Sequence, residues 1–168
     1  IIADKVTDAK GHEHNVTTVK GGVENSSDLK SVVFGQNIKS IGNSAFYNCQ
    51  QLESVTLNSN LETLSSSTFE NCYKLASVNL QDTKVTAIPS DCFYRCGLTE
   101  INIPATITEV GNRAFYGCDS VVTITVNTAT IPESCFKPYD TDKCKLTTVN
   151  IGKNVKSIGN YAFQYQTR

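Results

Sequence analysis

Between Ile38 and Leu57 the apolar positions run Ile38, Ile41, Phe46, Cys49, Leu52, Val55 and Leu57, with polar or small residues in the gaps. The same series returns down most of the chain. Its phenylalanine recurs as Phe46, Phe69, Phe93, Phe115, Phe136 and Phe163, at steps of 23, 24, 22, 21 and 27 residues, within the range of solenoid repeats. Five residues before each Phe stands an aliphatic residue: Ile41, Leu64, Ile88, Val110, Ile131 and Ile158. Three residues earlier come Ile38, Leu61, Val85, Ile107 and Val155, with Thr128 breaking the rule. Cys49, Cys72, Cys96 and Cys118 each follow their Phe by three residues. After them come the triplets Leu52-Val55-Leu57, Leu75-Val78-Leu80, Leu98-Ile101-Ile103, Val121-Ile124-Val126 and Leu146-Val149-Ile151, and Leu29-Val32-Phe34 precedes the first clear Phe.

Each triplet ends in period-two alternation, which predicts a short strand with Val55 and Leu57 inward and Ser54 and Thr56 outward. Stacked rungs then make a parallel sheet. Gly42-Asn43-Ser44 before Phe46, repeated at Gly111-Asn112 and Gly159-Asn160, predicts a turn with a polar N-cap opening a helical turn. Phe46, Cys49 and Leu52 at three-residue intervals predict one inward face of a very short helix or 3₁₀ turn. The residue before each Phe is kept small (Ala45, Thr68, Cys92, Ala114, Cys135, Ala162), as close packing of neighbouring rungs demands.

The triplet is that of leucine-rich repeats, but an Ile-x-x-Ile-Gly-x-x-Ala-Phe-x-x-Cys segment follows it in place of the usual continuation. That combination resembles the BspA type of leucine-rich repeat over residues 29–168, in copies of the Phe motif. The resemblance implies an α/β fold: a right-handed solenoid with short parallel strands on the concave face and short helical or 3₁₀ turns on the other side. It also implies a secreted or cell-surface protein of the adhesin kind, acting on host matrix proteins or another surface protein. Residues 1–15, which hold His12 and His14, read as an irregular lead-in, and residues 16–168 as the solenoid. Within it 16–28 is a degraded first rung, with Val16 and Val19 as the aliphatic pair, Val23 near the Phe slot and Ser26 in the Cys slot. This rung is expected to cap the array, terminal repeats being commonly atypical.

Two departures stand out. The fifth rung has Tyr139 in the Cys slot and an insertion from Lys137 to Cys144, and the last rung ends after its Phe without a triplet. An open sheet edge is expected there, so a continuing chain or a pairing partner is expected as well. The start at Ile1 without Met or a signal-peptide layout suggests a processed chain.

A chain with 39% hydrophobic residues can bury a real core. A formal net charge of −1 leaves no basic stripe of the kind nucleic-acid binding needs, and no apolar run is long enough to span a bilayer. The seven cysteines are odd in number and locked to the repeat. Their parallel Cβ vectors suit disulfides poorly, so Cys49, Cys72, Cys96 and Cys118 read as buried thiols, with Cys135 and Cys144 the one pair worth testing for a bridge. No Cys-x-x-Cys pair supports zinc, and Asp140-Thr141-Asp142 lacks the Gly and distal Glu of a calcium loop. No cofactor or metal is expected, and no constellation supports an enzyme. Asn15-Val16-Thr17 and Asn25-Ser26-Ser27 match the N-glycosylation sequon.

What remains is a binding module or a structural spacer displaying another domain, with an accessory module of a larger enzyme further off. The outward triplet positions form an uncharged hydroxyl and amide ladder, Thr56, Asn79, Asn102, Thr125 and Asn150, which is the first candidate protein-binding surface. The second is the stripe of residues just after the core Phe, Tyr47, Tyr94 and Tyr116, with Tyr73 nearby.

Overall fold

The computed structural model describes residues 2–7, 10 and 12–164 and winds those from about residue 16 onward into a parallel-strand solenoid, with one turn for each copy of the Phe motif. The triplets form one side. Ser31–Val33 pairs in parallel with Ser54–Thr56, and Thr123–Val126 lies between Glu100–Ile103 and Thr148–Ile151. Ile124 therefore sits opposite Ile101 and Val149, apolar on apolar, as the alternation predicted.

A second side consists of two-residue strands built on the aliphatic residue before each Phe. Thr18–Val19, Ser40–Ile41 and Thr63–Leu64 pair in that order, Ala87–Ile88 pairs with Glu109–Val110, and Thr130–Ile131 with Ser157–Ile158. Strands this short leave no period-two signature in sequence.

The third side, which carries the Phe residues, corrects the helical expectation. Among the described residues the only helix is a single 3₁₀ turn, Leu80–Asp82, and it follows a triplet instead of containing a Phe. The reason lies in the backbone two residues before and after Phe. Ser44 and Asn48 have φ of 53° and 59°, and Ser67, Asn71, Asp91, Arg95, Arg113 and Ser134 repeat the left-handed conformation. A residue with that conformation interrupts any right-handed helix. The three-residue spacing arises from successive closed turns: Tyr47 N–H donates to Ser44 O, Cys49 to Phe46 O and Leu52 to Cys49 O. In alternation, Ser44, Phe46 and Asn48 donate across to Ser66, Thr68 and Glu70 of the next rung. Every rung is thus tied to its neighbour on this side by backbone bonds, with no helix involved, and the α/β assignment gives way to a β-solenoid.

The core is a column. Phe46, Phe69, Phe93, Phe115, Phe136 and Phe163 stack with centroid separations of 5.5, 5.6, 5.3, 5.6 and 5.2 Å, within the range that favours aromatic pairs. Phe34 closes the column edge-on at 5.7 Å. Ala45, Thr68, Cys92, Ala114, Cys135 and Ala162 are all buried beside it. The cysteines form a second column in which each thiol donates to the carbonyl of the preceding rung: Cys49 to Val23 at 3.1 Å, Cys72 to Phe46 at 3.3 Å, Cys96 to Phe69 at 3.0 Å and Cys118 to Phe93 at 3.2 Å. Val23 accordingly occupies the Phe position of the first rung. None of the seven cysteines is disulfide-bonded.

Within the lead-in, expected to be irregular, Lys5–Thr7 pairs antiparallel with Glu13–Asn15. Ile2 bridges Phe34 in parallel, and Asn37 N–H donates to the Asp4 carboxylate at 2.6 Å, so this segment lies across the first edge of the triplet side. At the far edge, Val149 and Ile151, predicted inward, are 39% and 46% exposed, because no described rung packs on them.

Candidate binding surfaces

The triplet side places part of the polar ladder in register. Asn102, Thr125 and Asn150 are direct cross-strand partners, and Asn150 Nδ2 donates to Thr125 Oγ1 at 3.2 Å. Thr56, Asn102 and Asn150 are exposed and Thr125 is half-buried.

Asn79 is different. Its Oδ1 accepts the Leu57 N–H at 2.9 Å, and its Nδ2 donates to the Leu57 carbonyl at 3.0 Å and to Asp82 at 3.3 Å. The side-chain amide replaces the strand backbone that this rung fails to supply, so Asn79 is committed to the neighbouring rung and does not simply face solvent. The rung fails because it carries one residue more than its neighbours between triplet and aliphatic pair, Leu80 to Val85 against Leu57 to Leu61. The excess is taken up in the Leu80–Asp82 turn, and only the Val55 to Val78 bridge survives of the pairing. Beyond it lies a cleft of about 320 Å³, lined by Val78, Leu80, Ile101, Phe93, Phe115 and the carboxylate-bearing Glu100 among others.

On the Phe side the tyrosine stripe is partly assembled. Tyr94 and Tyr116 stack at 5.1 Å with their planes 5° apart, and burial beside the other ring raises the Tyr94 phenol above its ordinary pKa. Glu70 stands between Tyr47 and Tyr94 in the slot after Phe, so Tyr47 is separated from that stack. The Arg113 guanidinium lies 5.9 Å from the Tyr94 ring and pairs with Asp91 at 3.1 Å.

A cluster that the sequence reading missed sits alongside. The Arg95 guanidinium is held between the Tyr73 ring, at 5.3 Å, and the Tyr139 ring, at 3.8 Å. Tyr139 reaches it because the fifth-rung insertion is pinned by Asp119, whose carboxylate accepts the N–H groups of Tyr139 at 2.8 Å and Asp140 at 3.0 Å. Burial raises the pKa of Asp119, and the two backbone donors oppose that shift. Asp140 itself pairs with Lys143 at 2.9 Å. Repetition could not have revealed this cluster, because the insertion supplies half of it.

The buried thiols are poor nucleophiles. Burial pushes Cys72 and Cys118 up to about 12, and Cys92, Cys96 and Cys135 are raised as well, whereas a reactive cysteine needs a lowered pKa.

The pattern described here matches the family model of the BspA type leucine rich repeat region in six copies, over residues 21–141 and 86–168. The chain belongs to the BspA-type leucine-rich repeat family. No curated protein matches it. Among solved structures, this BspA-type chain is similar to the pneumococcal vaccine antigen PcpA, with a TM-score of 0.63 and 17% identity over 94% of this chain and 37% of that one. The T. pallidum leucine-rich repeat protein gives 0.62 and 16%, over 98% of this chain and 87% of that one. A leucine-rich cell surface protein of Faecalibacterium prausnitzii gives 0.52 and 21%, over 96% and 65%. At these identities the likeness concerns the fold. The chain spans little more than a third of the pneumococcal antigen. No helix among the described residues is long and apolar enough to cross a membrane.

Proposed function

We propose that this BspA-type array is a non-enzymatic module displayed at a cell surface or secreted, where its repeats bind protein, host matrix proteins or another surface protein being the class of ligand. The observation that carries the reading is the in-register ladder Asn102, Thr125 and Asn150, a row of paired hydroxyl and amide groups on the broadest stretch of sheet. The description of one structural relative as a cell surface protein and of another as a vaccine antigen supports the location. Uncharged donors and acceptors give little long-range steering, so association is only weakly salt-dependent.

A second surface is favoured by its own observation. Tyrosine and arginine are the residues on which interface energy concentrates, and the Phe side presents Tyr94, Tyr116, Arg95, Tyr73 and Tyr139 together, with Tyr73 and Tyr139 41% and 56% exposed. Surface binding to immobilised matrix proteins separates the two. The Asn102→Arg plus Thr125→Arg chain is compared with one carrying Tyr47, Tyr94 and Tyr116 changed to Ser. Loss in the first alone supports the ladder, and loss in the second alone moves the site to the Phe side. Normal binding by both removes either surface as the site, whereas no binding by the unaltered chain leaves the spacer role, or that of an accessory module, in place of the binding one.

A further inference from the structure

The split in the triplet side is a built gap. Each regular rung offers its neighbour a strand, but here the chain departs from extended backbone at Asn79, with φ −89° and ψ 57°, and turns into Leu80–Asp82. Glu100–Ile103 is therefore paired along one edge only, with Thr123–Val126. Toward the rung before it the backbone bonds beside this strand are the Gly97 N–H to the Cys72 carbonyl, at 3.3 Å, and the Thr99 N–H to the Ala76 carbonyl, at 3.1 Å. Beyond Thr99 this strand edge has no paired strand among the described residues, and an unpaired edge is the kind that accepts an added strand. The cleft beside it is closed at its base by the buried Phe93 and Phe115 and bordered by half-buried Val78. Its volume of about 320 Å³ is at the lower end of ligand pockets and suits one or two apolar side chains.

Charge narrows the occupant. Glu100 is the one charged residue lining the cleft and it is exposed, while Asp82 stands close by, bonded to Asn79 and Gln81. No lysine or arginine lines the space. We infer that the cleft between residues 77–81 and 100–102 takes an extended peptide segment of a partner protein, which adds to the Glu100–Ile103 edge, places an aliphatic or aromatic side chain against half-buried Val78, and sets a lysine or arginine against Glu100. This assignment rests on the reading of the triplet side as protein-binding and names the partner's chemistry.

The test uses a labelled seven-residue peptide of alternating leucine and threonine with a lysine at each end, followed by fluorescence anisotropy against the full chain. Two control peptides accompany it, one with backbone N-methylation on alternate residues and one with glutamate ends. The wild-type chain is expected to bind the first peptide saturably and each control about tenfold more weakly or worse. Ser77→Trp fills the cleft from an exposed position and is expected to weaken binding about tenfold or more, with Gln81→Trp as the substitute if that chain does not fold. Glu100→Lys is expected to reverse the preference between lysine and glutamate ends, and Asn150→Arg, at the far strand, to change nothing. The inference is overturned if the wild type shows no saturable binding below roughly 1 mM, if the N-methylated peptide binds equally, which would mean a pocket for small apolar compounds, or if the tryptophan variants bind normally with native melting. Peptide binding without any matrix-protein binding would sink the adhesion reading and leave the cleft standing; the opposite pattern would sink only the cleft.

Discussion

Replacing Asn79 with Ala tests whether a side chain can hold the place of a missing strand. The substitution removes the two bonds to Leu57, at 2.9 and 3.0 Å, and the one to Asp82. Leu57 is 3% exposed, so its N–H and carbonyl lose their partner where water reaches poorly, at about 1–3 kcal/mol for each unsatisfied group. Asn79 itself is only half-buried, which lets some water in and favours the lower half of that range. The expected loss is about 2–3 kcal/mol, or roughly 4–12 °C in Tm for a chain of this size. Asn79→Asp keeps the acceptor but turns the donor into a charge facing the Leu57 carbonyl and Asp82, and is expected to cost at least as much. Asn102→Ala, exposed at the equivalent ladder position, is expected to stay within about 0.5 kcal/mol. Urea titration measures the losses and hydrogen exchange at the Leu57 amide localises them. A loss below about 0.5 kcal/mol for Asn79→Ala, with unchanged exchange at Leu57, refutes the strand-replacement argument.

Three further outcomes follow from the core. Phe93→Ala opens a cavity between Phe69 and Phe115 in the ring column and is expected to cost about 3–5 kcal/mol in denaturant melting. Thiol labelling of the native chain is expected to leave Cys49, Cys72, Cys96 and Cys118 unmodified while Cys144, which is half-exposed, reacts first; rapid native labelling of all four would overturn their burial. Cys72 and Cys118 hold their protons up to about 12 when folded, against about 8.5 for an unperturbed thiol. The folded state therefore binds more protons than the unfolded state in that window. Stability contributed by these thiols is whole below the unfolded pKa and falls as pH rises toward 12, by up to about 1.4 kcal/mol per thiol per pH unit, and Cys72→Ala should flatten the alkaline loss by one such share.

The Phe and Cys columns were legible because their spacing hardly slips and each position has one use, to fill the space against the rung next door. The Phe-side backbone was not. A three-residue interval is shared by a 3₁₀ turn and by successive closed turns, and the left-handed positions are filled by Asn48 and Asn71, which favour that conformation, but also by Arg95 and Arg113, which hide it. Asn79 was misread because alternation alone sets it outward. The signal was one extra residue before Val85. Arg95 between Tyr73 and Tyr139 lies outside any repeat, since the ring that closes the pair comes from the insertion.

Those same irregularities give each rung an address. Near-identical turns can dock one whole repeat out of step while keeping apolar on apolar, a misassembly to which repeat arrays are prone. In this chain such a slip would carry Asn79 away from Leu57, move Gly97 from beneath the Tyr73 carbonyl, which leaves no room for a Cβ, and strand Tyr139 without Asp119. Each loss falls on a different pair of neighbours. A sequence that looks degenerate at the level of its core is unambiguous at the level of its exceptions, and a consensus redesign that smoothed them away would trade local regularity for several competing ways to stack.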